Sequence, residues 1–222
     1  MPVHSRGRWR SLARSNRHVA NRITLGAIED RSGGRDHTLR LGFAVEPLLT
    51  NYEPVWPFHF KRVSRDVKEA LGTSVVAVHH IGSTALPVVE WVKPVVDVLA
   101  EVERLGDADA KCDRLLAGGF APRGEYGLPG RRYFVRPADS AMPRVHLHIY
   151  EAGEGQVDRH LAFRDYLQAH PDEAKAYGEL KRRLADVHRS DKGKYQQGKA
   201  EFIARIEEMA ARWKRANVVA EP

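Results

Sequence analysis

Ser74-Val75-Val76-Ala77-Val78-His79-His80-Ile81 is a β-branched run that stops at Gly82-Ser83-Thr84, and Pro94-Val95-Val96-Asp97-Val98-Leu99-Ala100 follows as a second apolar run. The first predicts a strand ending in a tight turn. The second, apolar on both sides of its pleat, predicts a strand buried on both faces. Working outward, Arg131-Arg132-Tyr133-Phe134-Val135 and Val145-His146-Leu147-His148-Ile149-Tyr150 predict two more strands. Phe60, Val63, Val67 and Leu71 fall at helical spacing before Gly72, so Phe58 to Leu71 predicts a helix. Asp107 to Ala117 predicts another, stopped by Gly118-Gly119. After Gly155 the pattern turns helical. Pro171 with Asp172 and Glu173 marks a helix start, and Phe202, Ile203, Ile206, Met209 and Trp213 mark a last helix. The fold class expected is α+β: a mixed sheet flanked by helices, with a helical C-terminal third.

The chain has 222 residues, 42% hydrophobic and 29% charged, a soluble globular composition. No stretch reaches the roughly 18 apolar residues of a membrane span. The single cysteine, Cys112, excludes an internal disulfide and any multi-thiolate metal site. It suits a reducing compartment, and the expected location is the cytoplasm. The net charge of +7 is unevenly placed. Residues 1–40 hold nine arginines, no lysine and three acids, so the remaining chain is almost neutral. Three segments are expected: an Arg-rich, disordered extension over 1–40, a folded body over 41–215 and a flexible tail over 216–222. The extension has some transit-peptide character, but no apolar core follows its arginines as in a secretory signal. The basic pI of 9.6 belongs to this extension and not to a binding face of the body.

Three constellations carry possible chemistry. Gly82, Ser83 and Thr84 follow a strand, where backbone N–H groups and hydroxyls can cradle a phosphate; the bland reading is a plain turn. Asp97 interrupts an apolar strand, where a lone carboxylate needs a partner cation or a metal. His146 and His148, two apart on a strand, share one face and suit a divalent metal or a phosphate, or else form a polar stripe. No Walker motif or dinucleotide fingerprint occurs. Taken together, a strand, a Gly-Ser turn, an acid on the next strand and paired side chains on a later one follow the layout of the nucleotidyltransferase superfamily typified by polymerase beta.

The chain resembles the GrpB family. The resemblance rests on Tyr52-Glu53-Pro54-Val55-Trp56-Pro57, His80-Ile81-Gly82-Ser83-Thr84-Ala85-Leu86-Pro87, Lys93-Pro94-Val95-Val96-Asp97-Val98, Arg131-Arg132-Tyr133-Phe134, His146-Leu147-His148 and His160-Leu161-Ala162-Phe163-Arg164-Asp165-Tyr166-Leu167. Tyr195 and Lys199 before Phe202-Ile203 complete it. It covers roughly residues 45–207. It implies a nucleotidyltransferase-like fold and, less firmly, an activity. Val88-Val89 after Pro87 departs from the family's usual Pro-Gly-Leu. The superfamily wants two acids flanking one residue, yet Val95 and Leu99 stand at that spacing around Asp97.

The expected site therefore has Gly82, Ser83, Thr84, Lys93, Arg132 and Lys199 on phosphates. Asp97, His146 and His148 would hold Mg2+ or Mn2+, with Glu125 another candidate ligand, and Asp97 and His148 would be catalytic. A site without metal is the other arrangement, with Lys93 and Arg132 neutralising phosphate and His148 as acid or base. Arg164, Lys181, Tyr195 and Lys199 would close over the pocket. Tyr52 and Trp56 either stack on a base or pack the first helix. The expected reaction moves a nucleoside monophosphate from an NTP to a small acceptor. The rivals are a non-catalytic nucleotide- or coenzyme A-related binding module, and RNA binding through the Arg-rich tail. No membrane partner is expected, and no nucleic acid except through that tail.

Overall fold

The two apolar runs are neighbouring antiparallel strands at one side of a five-stranded sheet. The structure is a computed structural model that describes residues 47–189 and 191–219. The expected 1–40 extension lies outside the described residues. Strands β1 (Thr50–Asn51) and β3 (Trp91–Val92) form a small antiparallel pair. The main sheet contains β2 (Val75–Ile81), β4 (Val95–Val102), β5 (Ala121–Pro122), β6 (Arg132–Arg136) and β7 (Arg144–Glu151). Its order is β2-β4-β7-β6-β5, with β4 and β7 parallel and the other pairs antiparallel.

Helix α1 (Trp56–Leu71) starts with Pro57 in its first turn and buries Val63, Val67 and Leu71, the expected stripe. Ser74 then caps the carbonyl of Leu71 at 2.8 Å. The single helix expected over 107–117 is two short ones, α2 (Leu105–Ala110) and α3 (Cys112–Ala117). The break falls at Lys111, whose ammonium donates to Leu71 O and Ser74 Oγ and so ties this corner to the end of α1. The C-terminal third is helical: α4 (Gly155–Ala169), α5 (Pro171–Val187), α6 (Lys192–Gln197) and α7 (Ala200–Val219). The tail expected from 216 is therefore helical through Val219. Helix propagation wins there because Ala216, Asn217, Val218 and Val219 include neither Gly nor Pro to stop it. Among the described residues no helix is long and apolar enough to cross a membrane.

Strand periodicity sorts the sheet into two faces. Val96, Val98, Ala100 and Val102 of β4 and Val145, Leu147 and Ile149 of β7 join the main core with α1, α2 and α3. Each valine, leucine or isoleucine among them contributes roughly 1.5–3 kcal/mol when fully buried. The alternate residues face the other way. There Ile81, Leu99 and Tyr150 pack with Val157 of α4 in a smaller cluster, and Asp97, His146 and His148 lie on the same face.

Candidate functional site

Asp97 stands directly beside His146 in the parallel β4–β7 register, and Ile81 lies opposite Asp97 on β2. Register and pleat together put Asp97, His146 and His148 on one face, at the end of β2 where the chain turns. Gly82 makes that turn at φ 72° and ψ −173°. A Cβ on Gly82 would lie 2.4 Å from Asp97 Oδ2, so both the backbone angle and the carboxylate require glycine here. Ser83 to Ala85 form one 3₁₀ turn.

His146 Nδ1 meets Asp97 Oδ1 at 3.1 Å, and His148 Nε2 stands 3.9 Å from the same oxygen. Burial alone would raise the Asp97 carboxyl; the contacts from His146 and His148 outweigh it and hold it below the usual carboxylate range. An ionised Asp97 can only accept, so the His146 Nδ1 that faces it carries a proton. His146 lines a cleft of about 1150 Å³ with Lys93, Tyr133 and Arg144. His148 is held differently. The Arg131 guanidinium donates to His148 Nδ1 at 3.3 Å and to the carbonyls of Glu125 and Tyr126. Burial lowers the His148 pKa, with Asp97 opposing and Arg131 assisting. Because a guanidinium can only donate, Nδ1 is the accepting nitrogen of His148 and Nε2 is the one that faces Asp97. Tyr133 covers both rings, and burial, aided by Asp97, pushes its hydroxyl to about 12.

The expected phosphate residues divide. Gly82 and Ser83 lie at the mouth of the turn, and Ser83 Oγ accepts from Lys93 N at 3.2 Å. Lys199 is buried within electrostatic reach of Lys93 and Asp97, its ammonium lowered to about 8 by burial and by Lys93, with Asp97 opposing. Thr84 is instead fully buried, donating to Val95 O at 2.9 Å and bonding His80 Nε2 at 3.1 Å. It locks the turn onto β4. Arg132 faces the α2 side of the sheet, where it grips Asp109 through two hydrogen bonds of 2.7 and 2.9 Å. The register Arg132↔Ile149 explains this, because Ile149 belongs to the main core face. Its neighbour Arg131 is the arginine that reaches the histidines. Glu125 does not join Asp97: its carboxylate accepts from Gly130 N and approaches Arg132. Trp56 is buried in the core and Tyr52 packs against it, the packing reading for both.

The His160 ring of α4 lies 5.7 Å from that of His148, tilted by 49°, and burial with Arg159 drives its pKa down to about 3. Arg164 donates to the carbonyl of His80 at 3.1 Å, tying α4 to the end of β2. Nothing in the motif spacing assigned roles to Arg131 or His160; their value comes from contact across the sheet.

One carboxylate and two imidazoles converge, and Arg131 and Lys199 place positive charge around them. Among the described residues no group of three or more His, Cys, Asp or Glu is arranged to hold a metal. Magnesium takes oxygen-rich octahedral sets, which this is not. The arrangement can instead neutralise a phosphate on lysines and accept a proton at His146.

The family described as GrpB protein matches residues 46–209. The UPF0157 protein YqkA of Bacillus subtilis is 40% identical over 171 residues, covering 77% of this chain and 48% of that protein. The chain thus spans about half the length of that relative. A crystal structure of conserved protein GrpB from Enterococcus faecalis is similar at a TM-score of 0.69 and 36% identity, covering 75% of this chain and 98% of that one. A dephospho-CoA kinase of Mycobacterium leprae is 29% identical over 198 residues, covering 77% of this chain and 48% of that protein.

Proposed function

The chain belongs to the GrpB family, and from that premise we propose that it transfers a nucleoside monophosphate from an NTP to the hydroxyl of a small acceptor. The observation that carries this reading is the Asp97–His146 pair at the rim of the cleft, set against the Gly82-Ser83 turn and the cations Lys93 and Lys199. Gly82 and Ser83 bind the phosphates. Lys93 and Lys199 neutralise their charge, which builds up further on the leaving pyrophosphate. His146, oriented by Asp97, is the general base in place of His148, whose Nδ1 is occupied by Arg131.

In the transfer, an acceptor oxygen forms a bond to the α-phosphorus. The bond from that phosphorus to the bridging oxygen breaks, and pyrophosphate leaves. The acceptor proton goes to His146 Nε2, and Asp97 stabilises the imidazolium. No step is routed through a metal.

The test is pyrophosphate release from each of the four NTPs with a panel of small hydroxyl acceptors, with magnesium, with manganese and with chelator. Release by the native chain, and its loss in Asp97→Asn and His146→Gln, supports transfer. Saturable nucleotide binding with no release from any NTP contradicts transfer and leaves the second reading: a non-catalytic nucleotide- or coenzyme A-related binding module. That reading is favoured by the single carboxylate and by the similarity to a dephospho-CoA kinase.

A further inference from the structure

Lys181 on α5 is 2% exposed, and its ammonium has no hydrogen-bond partner among the described residues. The Tyr195 hydroxyl on α6 is in the same condition, in a residue also 2% exposed. Lys199 completes the group at 8% exposed. The two amines rest on aromatic faces: Lys181 Nζ lies 4.6 Å from the Tyr177 ring, and Lys199 Nζ lies 4.5 Å from the Tyr195 ring. Such contacts offset only part of the cost of removing an ammonium from water. Neither lysine pairs with a carboxylate among the described salt bridges. A fold that keeps the Lys181 amine and the Tyr195 phenol buried without a hydrogen-bond partner has left something to be supplied.

Position says where it comes from. Lys181 is one helical turn from Tyr177, which lines a cavity of about 190 Å³ with Gly82, His160 and Arg164. One turn the other way is Ala185, which lines the large cleft with Lys93 and His146. Charge is sensed along the row: Lys199 acts on Lys181, and Lys93 and Asp97 act on Lys199. The cluster is also built tightly. A Cβ on Gly198, next to Lys199, would lie 2.5 Å from Leu184 Cδ2 on α5, so this glycine lets the α6–α7 junction press against the helix that carries Lys181.

We infer that Lys181, Tyr195 and Lys199 form a subsite for the terminal phosphoryl group of a polyphosphate ligand. All three offer donors and Lys181 has no acceptor near it. Donors on three separate side chains suit a tetrahedral oxyanion with three free oxygens better than a planar carboxylate. The inference rests on the proposed nucleotide reading and names which end of the ligand lies deepest. Burial, then Lys199, holds Lys181 at about 7, so near neutral pH the empty site keeps much of this amine uncharged and an arriving phosphate draws a proton onto it.

The full-length chain is titrated with inorganic tripolyphosphate by calorimetry at pH 7.5, in two buffers of different ionisation enthalpy, with citrate as the carboxylate control. Lys181→Met and Tyr195→Phe are measured alongside, and each unliganded protein is melted. The expected result has four parts: the native chain binds tripolyphosphate with proton uptake, citrate binds at least tenfold more weakly, Lys181→Met loses at least tenfold in affinity, and Tyr195→Phe loses severalfold. Lys181→Met should melt at or above the native temperature, because an apolar side chain of similar length removes the buried amine. Equal affinity of the native and Lys181→Met chains overturns the subsite, as does citrate binding as tightly as tripolyphosphate. A lower melting point for Lys181→Met together with unchanged binding assigns the lysine to structure instead. Tripolyphosphate carries no nucleoside, so its specific binding without any pyrophosphate release from NTPs would sink transfer and leave this subsite standing. Turnover unaffected by Lys181→Met would do the reverse.

Discussion

Replacing Gly82 by alanine strains the fold at the point where it meets the chemistry. The residue sits at φ 72° and ψ −173°, a region that is essentially glycine-only and costs other residues about 1–3 kcal/mol. The new methyl would also lie 2.4 Å from Asp97 Oδ2 and 2.9 Å from Asp97 Cβ. Asp97 must move, and its hydrogen bond with His146 is lost with it. A hydrogen bond to a charged group contributes roughly 1.5–3 kcal/mol. The two effects together predict a loss of about 2.5–6 kcal/mol, or a fall in Tm on the order of 10 °C for a domain of this size. Gly127→Ala is the control. Gly127 has φ 82° but nothing within 4 Å of its would-be Cβ, so it should show the backbone cost alone, about 1–2 kcal/mol. Urea denaturation measures both variants, and nitrogen chemical shifts of His146 report whether its proton stays on Nδ1. If Gly82→Ala costs no more than Gly127→Ala and leaves the His146 tautomer unchanged, the close approach of turn and carboxylate is refuted.

Arg132→Ala should destabilise by about 2–4 kcal/mol, because it leaves the half-buried Asp109 carboxylate without its guanidinium, while nucleotide affinity measured by calorimetry stays native. Denaturation of the unliganded chain should show stability rising with pH from about 7 towards 10. Lys181 and Lys199, at about 7 and about 8 in the folded state, have shed protons there that the unfolded chain still binds; Lys181→Met should flatten that rise. On the acid side, stability should fall as pH drops below about 6.5, because His80 and His160 stay neutral when folded, at about 4 and about 3, while the unfolded chain protonates them. Asp97 is shifted in the same direction and adds to that fall at lower pH: its stabilisation is present above the ordinary carboxylate pKa near 4 and is lost as pH drops below it.

Much of the sheet was legible because strand periodicity is strict. The apolar run around Asp97 fixed a buried strand, and the spacing of His146 and His148 put both imidazoles on one face. Parity was the harder matter. Arg131 and Arg132 are adjacent, so one faces the histidines and the other faces Asp109, and only the register Tyr133↔His148 decides which. A shift of one residue, from Arg132 to Arg131, exchanges the Asp109 face for the His148 face. Thr84 looked like a ligand hydroxyl from its place after Gly-Ser; its burial against Val95 O is a tertiary fact. The break at Lys111 escaped a helical pattern because its cause is contact with the end of α1, some forty residues earlier. Lys181 looks like any lysine on an amphipathic helix. Its burial arises where α5, α6 and α7 meet, which no local pattern encodes.

The most direct measurement is a crystal structure of the full-length chain with a non-hydrolysable NTP analogue. The predicted complex has phosphate oxygens within hydrogen-bond reach of Ser83 and Lys199, with the α-phosphorus in the cleft facing His146 Nε2. An analogue bound with its phosphates on the Arg132 face of the sheet, or anywhere away from the Gly82 turn, would contradict the proposal that this turn and Asp97 serve phosphate chemistry.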